Sequence, residues 1–169
     1  MKRSCKLVVE KTHPTDLLQD TLSLIKYRAP FKNIRLVTQW AAEELPIQVD
    51  KSQIQQVLFN LFLNAVEAMP EEGQITVRTY KESRCEHLAG KPACVIQITD
   101  TGEGVSPENL SKIFEPFFTT KREMKGTGLG LSISKMIVDK HGGNLIIQSE
   151  QGKGTDVRVI LPLERGGEG

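Results

Sequence analysis

Gly126-Thr127-Gly128-Leu129-Gly130-Leu131-Ser132 runs straight into an amphipathic helix, predicted from Thr127 to Lys140 with Leu131, Ile133, Met136 and Ile137 as its apolar positions. Gly142-Gly143 ends it. Glycines at a helix start expose backbone N–H groups, and the helix dipole favours an anion there. Two common phosphate-binding architectures are nevertheless excluded. A P-loop needs Gly-x-x-x-x-Gly-Lys before Ser or Thr. A dinucleotide fingerprint needs a strand leading in and a third glycine, whose place Leu131 occupies. Along the rest of the chain helices and strands intermix without a regular βαβ alternation. That pattern favours a two-layer α/β (α+β) sandwich over a doubly wound sheet.

Working outward, several further elements are legible. A short strand is predicted over Lys6 to Glu10. A helix follows, capped by Thr15 or Asp16 and running to about Arg28. Ile34 to Thr38 and Ile47 to Val49 alternate as strands. Asp50 followed by Gln53 resembles a capping box and opens a long helix to Met69. Gln74 to Lys81 and Ala93 to Asp100 are predicted strands, with Glu82 to Pro92 a polar connection of no assignable chemistry. Ser106-Pro107 reads as a helix start, and two strands, Leu145 to Ser149 and Asp156 to Leu161, finish the fold.

Composition narrows the class. The chain has 169 residues, enough for one core without staples, and its 38% hydrophobic and 25% charged residues suit a globular protein. A net charge of +1, from 22 basic and 21 acidic side chains, argues against a nucleic-acid surface. Cys5, Cys85 and Cys94 lack metal-ligand spacing, and their odd number argues against a disulfide framework. The apolar run Leu7-Val8-Val9 is too short for a signal segment, and no stretch approaches a membrane span. These features predict a cytoplasmic domain, whether or not its parent protein is membrane-anchored.

The helix from Lys51 to Met69 carries a stripe. At 100° per residue, Ile54, Val57, Leu58, Leu61, Phe62, Ala65 and Met69 make one broad apolar face, and Phe59, Leu63 and Val66 cover most of the other side. Gln53, Gln56, Asn60, Asn64 and Glu67 fall in a narrow polar seam between them. A solvent-facing seam is the ordinary explanation. Amides in place of Lys and Glu leave open a second one, because an amide oxygen can ligate a hard cation such as Mg²⁺.

Val95-Ile96-Gln97-Ile98 then feeds a turn, Asp100-Thr101-Gly102-Glu103-Gly104, whose glycines permit close backbone approach of a ligand. An aspartate before them can accept a hydrogen bond from an exocyclic amine, although standing alone the segment reads first as a plain Asp-Gly turn. Three phenylalanines crowd Ile113 to Lys121, and Thr119 to Gly126 holds Lys121, Arg122 and Lys125 with almost nothing apolar, as an exposed loop would.

Taken in order, these segments resemble the ATP-binding catalytic domain of sensor histidine kinases, from about residue 12 to 163. Asn60-Leu61-Phe62-Leu63-Asn64-Ala65 resembles its N box, Asp100 to Gly104 its first glycine box, Phe114 to Lys121 its F box, and residues 126–132 its second glycine box. Gly152-Lys153-Gly154-Thr155 matches a later one.

The resemblance implies a mixed β-sheet covered on one face by about three helices, the Bergerat-type fold shared with gyrase, mismatch-repair and heat-shock chaperone ATPases. It implies ATP and Mg²⁺ as ligands, with Asn64 holding the metal and Asp100 reading adenine. Gly102 and Gly104 would shape the pocket floor and Thr155 would close its adenine end. Further contacts would come from Asn60, Thr119, Thr120, Lys121, Gly126, Thr127, Gly128, Leu129, Gly130 and Leu131.

No catalytic side chain is assigned. The wider fold family places a water-activating glutamate where Asn60 stands, and an amide cannot act as a general base. The resemblance therefore favours phosphoryl transfer to a histidine over hydrolysis, with a pure binding module or an ATPase as the alternatives. His13, His87 and His141 lack an acceptor's surroundings, so the implied partner is a phosphoacceptor histidine domain and, through it, a response regulator. The implied arrangement is a monomeric domain from a homodimeric parent. Residues 1–11 would be a strand or linker remnant, 12–163 the domain and 164–169 a disordered tail.

Overall fold

The computed structural model describes residues 6–28, 33–69, 71–115 and 130–164. The elements run β1 (Glu10–Thr12), α1 (Pro14–Arg28), β2 (Ile34–Gln39), β3 (Ile47–Val49), α2 (Lys51–Glu67), β4 (Gly73–Cys85) and β5 (Lys91–Asp100). They continue with α3 (Pro107–Leu110), α4 (Gly130–Lys140), β6 (Asn144–Glu150) and β7 (Gly154–Pro162).

Five strands form one sheet in the order β2-β4-β5-β7-β6. Only β2 and β4 pair in parallel; the other pairs are antiparallel. β1 and β3 make a separate two-stranded ribbon, Glu10 opposite Val49. Period-2 alternation turns Ile75, Val77, Ile96, Ile98, Val157 and Val159 to one face, where they meet Leu18, Ile25, Ile54, Leu58, Phe62 and Val138 from the helices. The result is the expected two-layer sandwich, with α1, α2 and α4 over a single face of a mixed sheet. Burial in this layer pushes the Cys94 thiol up to about 12.

Three local expectations shift. The first strand is Glu10–Thr12 rather than Lys6 to Glu10, because its ladder partner is the three-residue β3. α1 begins at Pro14, whose fixed φ suits a first turn, and Leu17 N–H donates to the His13 carbonyl at 3.3 Å. The largest change is at Glu82 to Pro92. β4 continues to Cys85, a 3₁₀ turn covers Glu86–Leu88, and β5 resumes at Lys91, with a register shift between Glu82 and Cys85.

That hairpin folds onto the outer face of the sheet. Cys85, Ala93, Val95 and Ile160 are buried there, with Tyr80, Leu88 and Ile146 packed against them. Much of the rest of the outer face is polar. Gln97 Nε2 donates to Asp156 Oδ1 at 2.7 Å, Thr99 Oγ1 to the same oxygen at 2.8 Å, and Arg158 Nε to Asp156 Oδ2 at 3.1 Å.

At the far end of the chain, Glu164 is held by Gln48 Nε2 at 2.7 Å, by its own N–H on the Pro46 carbonyl at 2.9 Å, and by Lys11 at 3.8 Å. No helix among the described residues is long and apolar enough to cross a membrane.

Candidate nucleotide site

One end of the site is made of backbone. Asp100 is the last residue of β5, 6% exposed, and lies on the sheet face that carries Ile96 and Ile98. Its Oδ1 accepts the Gly102 N–H at 2.8 Å, so the carboxylate is held by the turn it introduces. Thr155 stands directly opposite Asp100 in the β5–β7 ladder.

The turn is also tied to α2: Glu103 N–H donates to the Ala68 carbonyl at 3.3 Å. A Cβ on Gly102 would come within 2.7 Å of Ala68 and 2.9 Å of Asp100 Oδ1. Gly104 and Gly154 have φ of +70° and +102°, and a Cβ on them would run into the carbonyls of Glu150 and Asp100. These glycines let three chain segments meet around one carboxylate.

Two residues without a sequence signal complete this end. Thr101 Oγ1 accepts the Gln74 N–H at 3.0 Å and donates toward Met69 Sδ at 3.5 Å, joining the turn to the end of α2. Ser149 Oγ accepts the Val105 N–H at 2.7 Å and donates to the Gly154 carbonyl at 3.0 Å. Its 2.8 Å contact with Thr155 Oγ1 is then satisfied by the Thr155 proton, which leaves Thr155 presenting lone pairs. Ser149's role could not be read before β6 and β7 were paired, nor Thr101's before β4 lay beside β5.

The other end is made of side chains on helices. Asp50 caps α2 and accepts the Gln53 N–H at 3.3 Å. Ser52 donates to the same carboxylate at 2.8 Å, which, with the Val8 N–H, holds its pKa below the ordinary value. Asn60 and Asn64 are half-buried and one turn apart. The Asn64 carbonyl accepts the Ala68 N–H at 3.0 Å, so Asn60, Asn64 and Ala68 line one edge of the helix over about 12 Å.

Asn60 meets the start of α4: a Cβ on Gly130 would lie 3.8 Å from Asn60 Cγ. Leu131 packs on the main core, as does Phe114, with the Lys135 ammonium 5.3 Å from the Phe114 ring centre.

The structure thus gathers Asp100, Gly102, Gly104 and Thr155 at the C-terminal end of α2 and Asn60 with Gly130 near the middle of that helix, Asn64 standing between them. Thr119, Thr120, Lys121, Gly126, Thr127, Gly128 and Leu129 lie outside the described residues. Among the described residues no group of three or more His, Cys, Asp or Glu could hold a metal by itself. An amide oxygen on a half-buried helix edge suits a hard cation that takes its other ligands from phosphate and water. Asn64 has that donor chemistry.

Comparison with known proteins agrees with this geometry. Residues 49–165 match the family described as histidine kinase-, DNA gyrase B-, and HSP90-like ATPase. Sporulation kinase E of Bacillus subtilis is 34% identical over 96% of this chain, and sensor kinase CckA of Brucella abortus is 42% identical over 88%. The chain spans only 21% and 16% of their lengths.

The catalytic domain of histidine kinase ThkA superposes with a TM-score of 0.77 at 30% identity, covering 91% of this chain and 95% of that one. A second ThkA structure, in complex with the response regulator protein TrrA, gives 0.75 at 27% identity, covering 94% of this chain and 42% of that one. The chain belongs to the histidine kinase-, DNA gyrase B-, and HSP90-like ATPase family, and within it to the histidine kinase catalytic domains.

Proposed function

We propose that this chain binds Mg-ATP along α2 and passes the γ-phosphoryl group to a histidine carried by a separate phosphoacceptor domain. The observation that carries the reading is Asn60: a half-buried amide sits against the first residue of α4, where ATP-hydrolysing members of the fold keep a glutamate. With an amide at Asn60, where the base for water would stand, the competent nucleophile is an imidazole nitrogen brought in from outside. Its N–P bond forms as the bond from the γ-phosphorus to the bridging oxygen breaks, and ADP leaves.

Asp100 accepts the adenine amine while Gly102 and Gly104 shape the floor of the pocket. Asn64 would hold Mg²⁺, which when bound would offset phosphate charge. Lys121, Arg122 and Lys125, which lie outside the described residues, supply positive charge for the phosphates. The domain covers residues 12–163 and works in the cytoplasm. It serves a homodimeric sensor kinase that signals to a response regulator, the class of partner found with ThkA.

The three histidines of the sequence support an outside acceptor. His141 has both ring nitrogens engaged, His87 lies 3.5 Å from Asn144 Nδ2, and His13 is half-buried beside the start of α1. The test incubates the domain with γ-labelled ATP, alone and with the histidine-bearing dimerisation domain of a related kinase. Acid-labile label on the added domain and negligible ADP without it are expected. Steady ADP release without acceptor would assign an ATPase, and label on this chain lost on mutating His13 would assign an internal acceptor.

A further inference from the structure

The predicted capping box at Asp50 is only half formed, and the missing half leads to His141. In a capping box the third helical residue would reach back to the Asp50 N–H. Here that N–H donates instead to Nε2 of His141, 91 positions away, at 3.1 Å. The Gln53 side chain, standing where the box would need it, is left with a buried Oε1 that has no hydrogen-bond partner among the described residues.

His141 is in turn fixed from its other side. Its Nδ1 lies 2.8 Å from the Ile137 carbonyl. A backbone N–H can only donate, so Nε2 must be the acceptor and the ring proton must sit on Nδ1, where it donates to Ile137. The two contacts demand one neutral tautomer. They join the last turn of α4 to the first residue before α2.

The opposite end of the same helix pair is the contact between Gly130 and Asn60. α4 therefore lies antiparallel along α2, held at its C-terminal end by His141 and meeting the site at its N-terminal end. A shift of α4 along α2 would move the Gly130 end of the site and leave the Asp100 turn, which hangs on β5 and β7, where it is.

We propose that His141 is a positioning residue: by clasping Asp50 it sets α4, and with it the phosphate end of the nucleotide site. Gln53 is a second acceptor held in reserve, able to cap α2 when the clasp is absent but unable to hold α4. The effect on ligands rests on the nucleotide reading above; the clasp and its reserve do not.

The experiment compares wild type, H141F, Q53A and the double variant by urea denaturation, and wild type, H141F and H141Q by calorimetry with Mg-ATP and adenosine. H141F is expected to weaken Mg-ATP binding about tenfold, the worth of one hydrogen bond, and to leave adenosine within about twofold. H141Q, which can place an oxygen near the position of Nε2, is expected to restore Mg-ATP binding. The double variant is expected to lose more stability than the two single losses together, because Gln53 covers for His141 only while it is present.

Equal weakening of adenosine and Mg-ATP would make His141 merely structural and overturn the positioning role. Strictly additive stability losses would overturn the reserve. Should H141F not fold, the contrast passes to H141Q and H141N: Mg-ATP affinity kept by Gln and lost by Asn supports the proposal, and the same affinity in both overturns it. Wild type that binds no nucleotide would sink the nucleotide reading, and with it the positioning role, while the denaturation arm still decides the clasp and its reserve.

Discussion

The two ends of the site differ in material. Around Asp100 three chain segments meet through main-chain atoms, and glycines stand where a single methyl would strike a carbonyl. Along α2 and α4 the contacts come from amide and imidazole side chains on helices that could slide if unclasped. A surface of backbone is fixed by the sheet register and tolerates almost no substitution. A surface of side chains can be retuned one residue at a time, so this is the end where members of one fold can differ in chemistry. The pairing of a rigid reading end with an adjustable reacting end is what the variants below probe.

The largest effect belongs to the backbone end. Gly154→Ala places a methyl into the Asp100 carbonyl at a φ of +102° and should cost about 3 kcal/mol or more in urea denaturation. Gly152→Ala, two residues earlier with nothing within 4 Å of its Cβ, should cost about 1 kcal/mol. Equal losses would mean that conformation alone, and not the meeting of segments, constrains this turn.

Asp100→Asn comes next. One charged hydrogen bond is worth about 1.5–3 kcal/mol, so ATP affinity should fall about ten- to a hundredfold and ATP-over-GTP selectivity should erode. Equal ATP and GTP affinity in wild type would remove the assignment.

Asn64→Ala probes the side-chain end. The fold should survive, since Asn64 is only half-buried, while the Mg²⁺ dependence of ATP binding disappears in a titration with and without chelator. Unchanged dependence would place the metal elsewhere.

The smallest effect is one of pH. The Asp50 carboxyl is held below its ordinary value by the Ser52 hydroxyl and the Val8 N–H. A group whose folded pKa is lowered contributes stability above the unfolded value, about 3.9, and loses it as pH falls through the folded one. Asp50→Asn keeps a capping acceptor, so it should flatten the acid limb of the stability profile below about pH 4 and change little at pH 7. An unchanged acid limb would show that the carboxylate charge is immaterial.

How much of this was legible in the sequence follows the same division. The α2 stripe, the Asp100 turn and Gly104 were readable because each is a local pattern: period 3.6, a strand entering a turn, a glycine where φ is positive. The Glu82 to Pro92 hairpin was not. Its polar residues mask the burial of Cys85 on the outer face, which exists only once Ala93, Val95 and Ile160 stand beside it. Ser149 and Thr101 were invisible for a similar reason, since their partners Val105 and Gln74 lie 44 and 27 positions away. The capping box misled because a local motif predicts a local partner, and His141 took the bond instead.

The most direct test of the two-ended account is calorimetry of wild type, D100N and N64A with adenosine and with Mg-ATP. The account predicts that D100N weakens adenosine and Mg-ATP by the same factor, about ten- to a hundredfold, because Asp100 is proposed to touch only the base. N64A should leave adenosine unchanged and weaken Mg-ATP alone. Loss of adenosine binding in N64A, or an effect of D100N on Mg-ATP that is absent for adenosine, would contradict the division of the site into a base-reading end and a phosphate-holding end.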